Sequence, residues 1–414
     1  MSGWQRVAFR DLGTWFGGGT PSKSRSEFWV NGTIPWLSPK DMGTDVLHST
    51  LDHITEAAVA GSAVRVVPGP SVAVVVRSGI LERTVPIALV PFETTLNQDM
   101  KAVVARDGVD PRWIAWGLRA LERDLLAGAR KAGTTVASLE MPRFLDFTLP
   151  VPPLAEQRRI VDILEDHLSR LDAADRSIDS AERRLDVLRA SARRQALMEG
   201  SGPSMRIDEV AVVGTGSTPR RSRADYFTGP TPWVTSGDLR AGLITEVPQR
   251  VSDQAIADAR LRKWPPGTLL LAMYGEGKTR GTVAELGVEA TINQACAAIV
   301  PNSNDEVIRR WMRLALEDQY DSMRRQSSGG VQPNLNLSIV KSLEMAWPDR
   351  SAMVTALERY SEITRGTVRV APQLAAAQRR SASLRRALLA AAFSGRLTGA
   401  ASDLDRVEEL AATR

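Results

Sequence analysis

Cysteine is nearly absent from this sequence: Cys296 is the only one in 414 residues. An internal disulfide and a cysteine-rich zinc site are therefore excluded. Histidine is almost as scarce, with His48, His53 and His167 as the whole supply, too few for a zinc-ligand cluster. Long apolar runs are missing as well. Stretches such as 71–76 and 268–273 fall far short of the roughly 20 residues of a membrane span. The opening residues, Met1-Ser-Gly-Trp-Gln-Arg6, lack the apolar stretch of a signal peptide. Charge of one sign is also in short supply. Lys and Arg total 53 against 48 Asp and Glu, a net of +5, with no Lys-rich arm. Any contact with phosphate must then come from local patches. The expectation is a cytoplasmic protein that uses no membrane. An apolar fraction of 43% is enough for real cores, and the length predicts about two to four domains.

What the sequence does have is an internal repeat. Thr20-Pro21 recurs as Thr218-Pro219, and Pro35-Trp36 as Pro232-Trp233 with Asp41 and Asp238 shortly after. Asn97-Gln98 recurs as Asn293-Gln294, Trp116 as Trp311, Ala120-Leu-Glu122 as Ala315-Leu-Glu317, and 133–139 aligns with 329–335. The order is kept at offsets of 195–198, so the chain is two tandem copies of one unit, a duplication and not a short-period solenoid.

Each unit has two parts. The first is dense in Gly, Pro and Trp, with strand-like apolar runs (72–76; 269–273; 295–300) and a helical spacing over 111–126 and 306–323. It predicts a compact α+β domain. The second part alternates charge with apolar residues, and 154–198 contains neither Gly nor Pro. A heptad places Leu164, Leu171, Ile178, Leu185 and Ala192 on one seam line and Ile160, His167, Ala174, Ala181 and Leu188 on the other. The second copy gives Tyr360, Thr367, Leu374, Ser381 and Leu388 with Ile363, Val370, Ala377, Leu384 and Ala391. Neither narrow stripe can be buried alone. Duplication favours pseudo-two-fold symmetry, so the two helices are expected to pair as an antiparallel coiled coil. Pro372, with Gly366 nearby, predicts a bend or break over 366–372. The predicted boundaries are 1–152 and 201–348 for the two domains, 153–200 and 349–398 for the spacer helices, and 399–414 for a tail.

Catalytic patterns fail on inspection. Gly277-Lys278-Thr279 ends like a phosphate loop, but Ala272 stands where the first glycine is required. Glu276 and Lys278 have no convincing nuclease partner in Asp253 or Asp258. There is no G-x-S-x-G, no Asn-Pro-Pro-aromatic tetrapeptide and no dinucleotide fingerprint. Cys296 lies in an apolar run and reads as core. Basic loops are what recur instead. The first copy offers Lys23, Arg25, Lys40, Arg77, Arg83, Arg130 and Lys131; the second offers Arg220, Arg221, Arg223, Lys278, Arg280, Arg324 and Arg325. Such side chains can hold phosphate or take the guanine edge in the major groove. For any one of them solvated surface charge is the competing explanation.

At this point the chain resembles the specificity subunit of Type I restriction–modification systems. The carrying stretches are Gly18-Gly-Thr20-Pro21, Ile34-Pro35-Trp36, Leu96-Asn97-Gln98, Leu149-Pro-Val-Pro-Pro-Leu154-Ala-Glu156-Gln157-Arg, Gly216-Ser-Thr218-Pro219, Gln332-Pro-Asn334 and Phe393-Ser-Gly395-Arg-Leu397. The resemblance implies two target recognition domains, each reading half of a split double-stranded DNA sequence. It implies helices that set the gap and bind two methyltransferase subunits, which carry S-adenosylmethionine. Motor nuclease subunits can join that complex, and the specificity subunit itself does no chemistry and binds no cofactor or metal. One departure stands out: the second junction, Trp347-Pro348-Asp349-Arg350-Ser351, lacks the Glu-Gln-Arg start. From the residues alone, a protein-interaction scaffold with two tandem binding domains is the alternative.

Overall fold

The computed structural model describes residues 3–131, 136–274, 280–326 and 335–397, with side chains of 320–326 outside the description. The chain is α+β. It divides into two compact units, Met1–Asp179 with Ala375–Arg414, and Ser180–Leu374. Both long helices are therefore shared: each unit holds one half of each.

In the first unit the strands Gly13–Gly17, Met100–Ala105, Ser71–Val75 and Ile87–Val90 form an antiparallel sheet in that order. A smaller sheet orders Asp52–Ile54, Ile34–Leu37, Thr94–Leu96 and Val66–Val67, with its middle pair parallel. The second unit repeats the plan. Ala211–Thr215, Cys296–Pro301, Leu269–Ala272 and Val283–Leu286 form the main sheet, extended by Leu243–Ile244. Arg250–Val251, Thr231–Val234 and Thr291–Ile292 form the smaller one, of three strands, with Thr231–Val234 again parallel to Thr291–Ile292. A two-stranded ribbon closes each domain, Gln5–Ala8 with Thr148–Val151 and Ser204–Arg206 with Glu344–Ala346. The duplication seen in the sequence is thus a duplication of topology.

The helix Pro111–Ala120 starts where its chemistry says it should. Asp110 caps it by accepting the Arg112 N–H at 2.8 Å, and Pro111 takes the first turn, where no N–H is needed. Trp113 is fully buried, and its indole donates to the Pro150 carbonyl at 2.9 Å. Trp311, on Glu306–Gln326, donates in the same way to the Ala346 carbonyl at 2.8 Å, so it takes the place of Trp113 and not of Trp116, to which the repeat matched it and whose indole donates to Glu165 instead. Trp113 and Trp311 each tie their helix to the closing ribbon.

The long helices run Leu154–Glu199 and Arg350–Phe393. In the first unit Ile160, Val161, Leu164 and Leu168 join Ala387, Leu388, Ala391 and Ala392 in one core with Trp113 and Leu149. Arg385 pairs there with Asp172 and, at 3.6 Å, with Asp175. In the second unit Ala196 packs with Met353, Ala356 and Leu357. Arg189 donates to the Thr367 hydroxyl at 3.0 Å, and Arg359 reaches Glu199 at 3.0 Å. Residue numbers fall on one helix as they rise on the other, so the pair is an antiparallel coiled coil.

Two expectations need correction. The helix does not break at 366–372; it is continuous through Pro372. Pro372 is exposed, and so is Val368, whose carbonyl loses its donor, so water can replace the missing hydrogen bond. The second seam line is also displaced by one residue along much of both helices, although the expected Ile160 and Ala391 near the helix ends are buried. Val161, Leu168 and Ala196, and Leu357, Thr364 and Ala392, are buried. The expected Ala174, Leu188, Val370 and Ala377 are exposed. At the true positions Asp175, Glu182 and Arg189 are polar, which hid the line from an apolar pattern.

Candidate nucleic-acid interface

The repeated dipeptides build a hydrogen-bonded frame. Gly18 brings the backbone so near its neighbour that an added Cβ would lie 1.7 Å from the Asn97 oxygen; at Gly216 the same clash falls on Ile292, again at 1.7 Å. The Thr20 hydroxyl donates to Gln98, and that of Thr218 to Gln294. The Trp36 indole donates to the Gly19 carbonyl at 3.1 Å, and Trp233 to Ser217 at 3.2 Å. Thr95 and Thr291 donate to the carbonyls of Pro35 and Pro232 at 2.8 and 3.0 Å. Asp41 accepts from Ser38, and Asp238 from Thr235, through both backbone N–H and hydroxyl. Each set pins the loop after the Gly-Thr-Pro or Gly-Ser-Thr-Pro turn to the smaller sheet.

On those pinned loops sit the first candidate cations. Lys23, Arg220 and Arg221 are exposed, with no hydrogen bond or ion pair of their side chains among the described residues, although the Arg220 charge helps to lower the Asp258 pKa. Arg25 differs: its Nε donates to Glu27 at 3.0 Å, and its guanidinium lies 4.2 Å over the Phe28 ring. Arg223 repeats this with Asp225, at 2.9 and 2.6 Å, and lies 4.5 Å over Tyr226. The hydrogen bond to Asp225 raises the Arg223 pKa and lowers that of Asp225. The Tyr226 hydroxyl donates to Asp258, which also accepts from Gln254 at 2.8 Å and is held below the usual carboxylate range by both.

The remaining candidates scatter. Lys40 pairs with Asp52 at 2.6 Å, a contact that raises the lysine pKa. Arg77 pairs with Asp99 at 2.6 Å. Backbone bridges join Arg77 to Ser138 and Arg130 to Leu139, and the Lys131 N–H donates to Ser138, so Arg77, Arg130 and Lys131 share one strip. Arg83, Arg130 and Lys131 are exposed, without side-chain partners among the described residues. Arg280 is half-buried and has an interaction of its own. Lys278 lies outside the described residues with the whole Gly277-Lys278-Thr279 stretch, as does most of the 133–139/329–335 correspondence. Arg324 and Arg325 are on the helix Glu306–Gln326, but their side chains lie outside the description.

Three features escaped the sequence. The aromatic supports Phe28 and Tyr226 are one; their spacing three residues after Arg25 and Arg223 was the available signal. The second is the junction between domain and helix. Gln157 is fully buried, accepts the Asp110 N–H at 2.9 Å and donates to the carbonyls of Gly108 at 2.9 Å and Pro152 at 2.7 Å. At the second junction the aligned Asp305 takes an exposed ion pair from Arg350 instead, at 2.6 Å. The third is a cavity of about 480 Å³ in the first unit, lined by Arg119, Arg123, Arg385 and Arg386 with Asp45 and Glu122. Burial pulls the Arg119 pKa down although Asp45 pairs with it at 2.9 Å.

Cys296 is fully buried, and that burial pushes its thiol up to about 12, the state of a core residue. Among the described residues no helix is long and apolar enough to cross a membrane. Among those same residues no group of three or more His, Cys, Asp or Glu could hold a metal ion.

Comparison with known proteins gives consistent matches. The family described as Type I restriction modification DNA specificity domain matches residues 1–182 and 203–367. The Type I restriction enzyme EcoR124I/EcoR124II specificity subunit of Escherichia coli is 46% identical over 155 residues, covering 37% of this chain and 38% of that protein. The Type I restriction enzyme MjaIX specificity subunit of Methanocaldococcus jannaschii is 26% identical over 166 residues, 38% of this chain and 37% of that one. The chain spans less than two-fifths of the length of these curated relatives. A solved chain of a type I R-M system, described for complex assembly and conformational transition, superposes with a TM-score of 0.67 at 17% identity. It covers 96% of this chain and 99% of that chain, a likeness of fold.

Proposed function

We propose, because this chain belongs to the family of Type I restriction modification DNA specificity domains, that it is the sequence-reading subunit of a Type I restriction–modification complex. Each recognition domain, 1–152 and 201–348, reads one half of a bipartite double-stranded DNA target. The spacer helices, 153–200 and 349–398, set the gap between the halves and dock two methyltransferase subunits. The chain does no chemistry: S-adenosylmethionine belongs to the methyltransferase subunits, and motor nuclease subunits join the same assembly in the cytoplasm. The family match does not favour a plain interaction scaffold.

The observation that carries this reading is the same pinned loop built twice, each time presenting cations beside one satisfied arginine. A fold that repeats its loop but changes the exposed side chains suits two half-sequences read by one plan. Docking on the helices is supported by apolar side chains left outside the seam. Val187, Leu188 and Met198 are 66%, 41% and 79% exposed, and Val368 and Val370 are 68% and 37%. A docked subunit that covers them removes their apolar surface from water.

Base-resolved mapping of methylated positions in the host genome, with and without this gene, tests the proposal. The expected result is loss of one split motif. An unchanged methylation map overturns it.

A further inference from the structure

We propose, resting on the DNA-reading function above, that Arg25 and Arg223 are positioning residues and that sequence is read by the exposed cations between each loop's threonine anchor and that arginine. Those readers are Lys23 in the first unit and Arg220 and Arg221 in the second.

Both loops are held at two points. Thr20 and Thr218 anchor one end through Gln98 and Gln294. Arg25 and Arg223 anchor the other, each paired with the carboxylate two residues on and stacked over the aromatic ring three residues on. An arginine so engaged has its charge offset and its plane fixed. Turning it to a base would break the ion pair and the stacking together. Among the described residues the cations between the anchors have neither a hydrogen-bonded carboxylate nor a stacked ring, Arg220 acting on Asp258 only through its charge, and they belong to a segment of four residues, Pro21–Ser24 or Pro219–Ser222, that the anchors hold in place.

The two loops then differ in what they can read. The arginine fork matches the O6 and N7 acceptors of guanine bidentately, whereas a lysine is a mobile point charge. The second unit therefore requires a guanine in its half-site more strictly than the first requires any base opposite Lys23.

The test uses the full chain assembled with its methyltransferase subunits, on duplexes carrying the mapped site and single-base changes of it, at several salt concentrations. Arg220→Ala or Arg221→Ala should abolish about 5- to 150-fold of discrimination for guanine at one position of one half. Arg223→Ala should weaken binding to all duplexes alike, leave the base ranking unchanged and leave the salt slope unchanged, because Asp225 already offsets its charge. Arg223→Lys, which keeps that pairing, should restore most of the loss. Unaltered base ranking in both Arg220→Ala and Arg221→Ala, or an altered ranking in Arg223→Ala, overturns the assignment. Wild-type assembly that shows no sequence preference on any duplex overturns the function itself, a distinct outcome.

Discussion

Gln157 carries no charge, yet it is the most fully used polar side chain at either junction. Its amide satisfies one backbone N–H and two carbonyls that the fold otherwise buries. Gln157→Leu keeps the volume and strips all three partners, so it should destabilise the chain by about 3 kcal/mol. Arg350→Ala at the other junction removes an exposed pair and should move the curve far less. Urea unfolding of the full chain measures both; equal shifts would show that burial of Gln157 is not what matters. The sequence marked Glu-Gln-Arg only as a signature. Its physical role was illegible because Gln157 acts on Gly108 and Asp110, nearly fifty residues upstream. Cys296 was legible, since an apolar run in a strand pattern already reports burial.

Two helices with a sustained heptad were readable as a pair, but their rotation was not. One seam line holds: Leu164, Ala192, Thr367, Ser381 and Leu388 are buried. The other holds only at Ile160 and Ala391 and is displaced between them, because spacings of three and four both catch apolar residues and polar groups occupy the true line there. Asp175 and Arg189 earn their places by pairing across the seam with Arg385 and Thr367. Identical chemistry at a seam and an off-seam site separates the two rotations. Leu164→Ala should cost about 2–5 kcal/mol, and Leu188→Ala within about 0.5 kcal/mol, read from denaturation midpoints at constant slope. Leu188→Glu should likewise leave the isolated subunit folded and weaken its assembly with the methyltransferase subunits. A large stability loss at Leu188 would restore the other rotation.

At the scale of the whole chain, the duplication was legible because the recurring residues are frame residues, constrained to hydrogen-bond the same way twice. The residues proposed to read sequence, Lys23 against Arg220 and Arg221, differ between copies for the opposite reason: nothing in the frame dictates them. Length is the remaining variable, and the spacer can be changed without touching either frame. Duplicating residues 175–181 in the first helix and 376–382 in the second inserts one heptad at matching levels, between the Asp172–Arg385 and Arg189–Thr367 contacts. A heptad preserves the seam and adds about 10 Å of helix. At 3.4 Å per base pair the ceiling is about three base pairs. Added base pairs also rotate one half-site about the duplex axis, because a turn takes 10–10.5 pairs. The DNA must untwist or bend to present it, so the gain should lie between about one and three. Methylation mapping in a host carrying the lengthened gene should therefore return both original half-sequences with a wider gap. An unchanged gap would disprove the ruler, and a changed half-sequence would disprove the separation of reading from spacing.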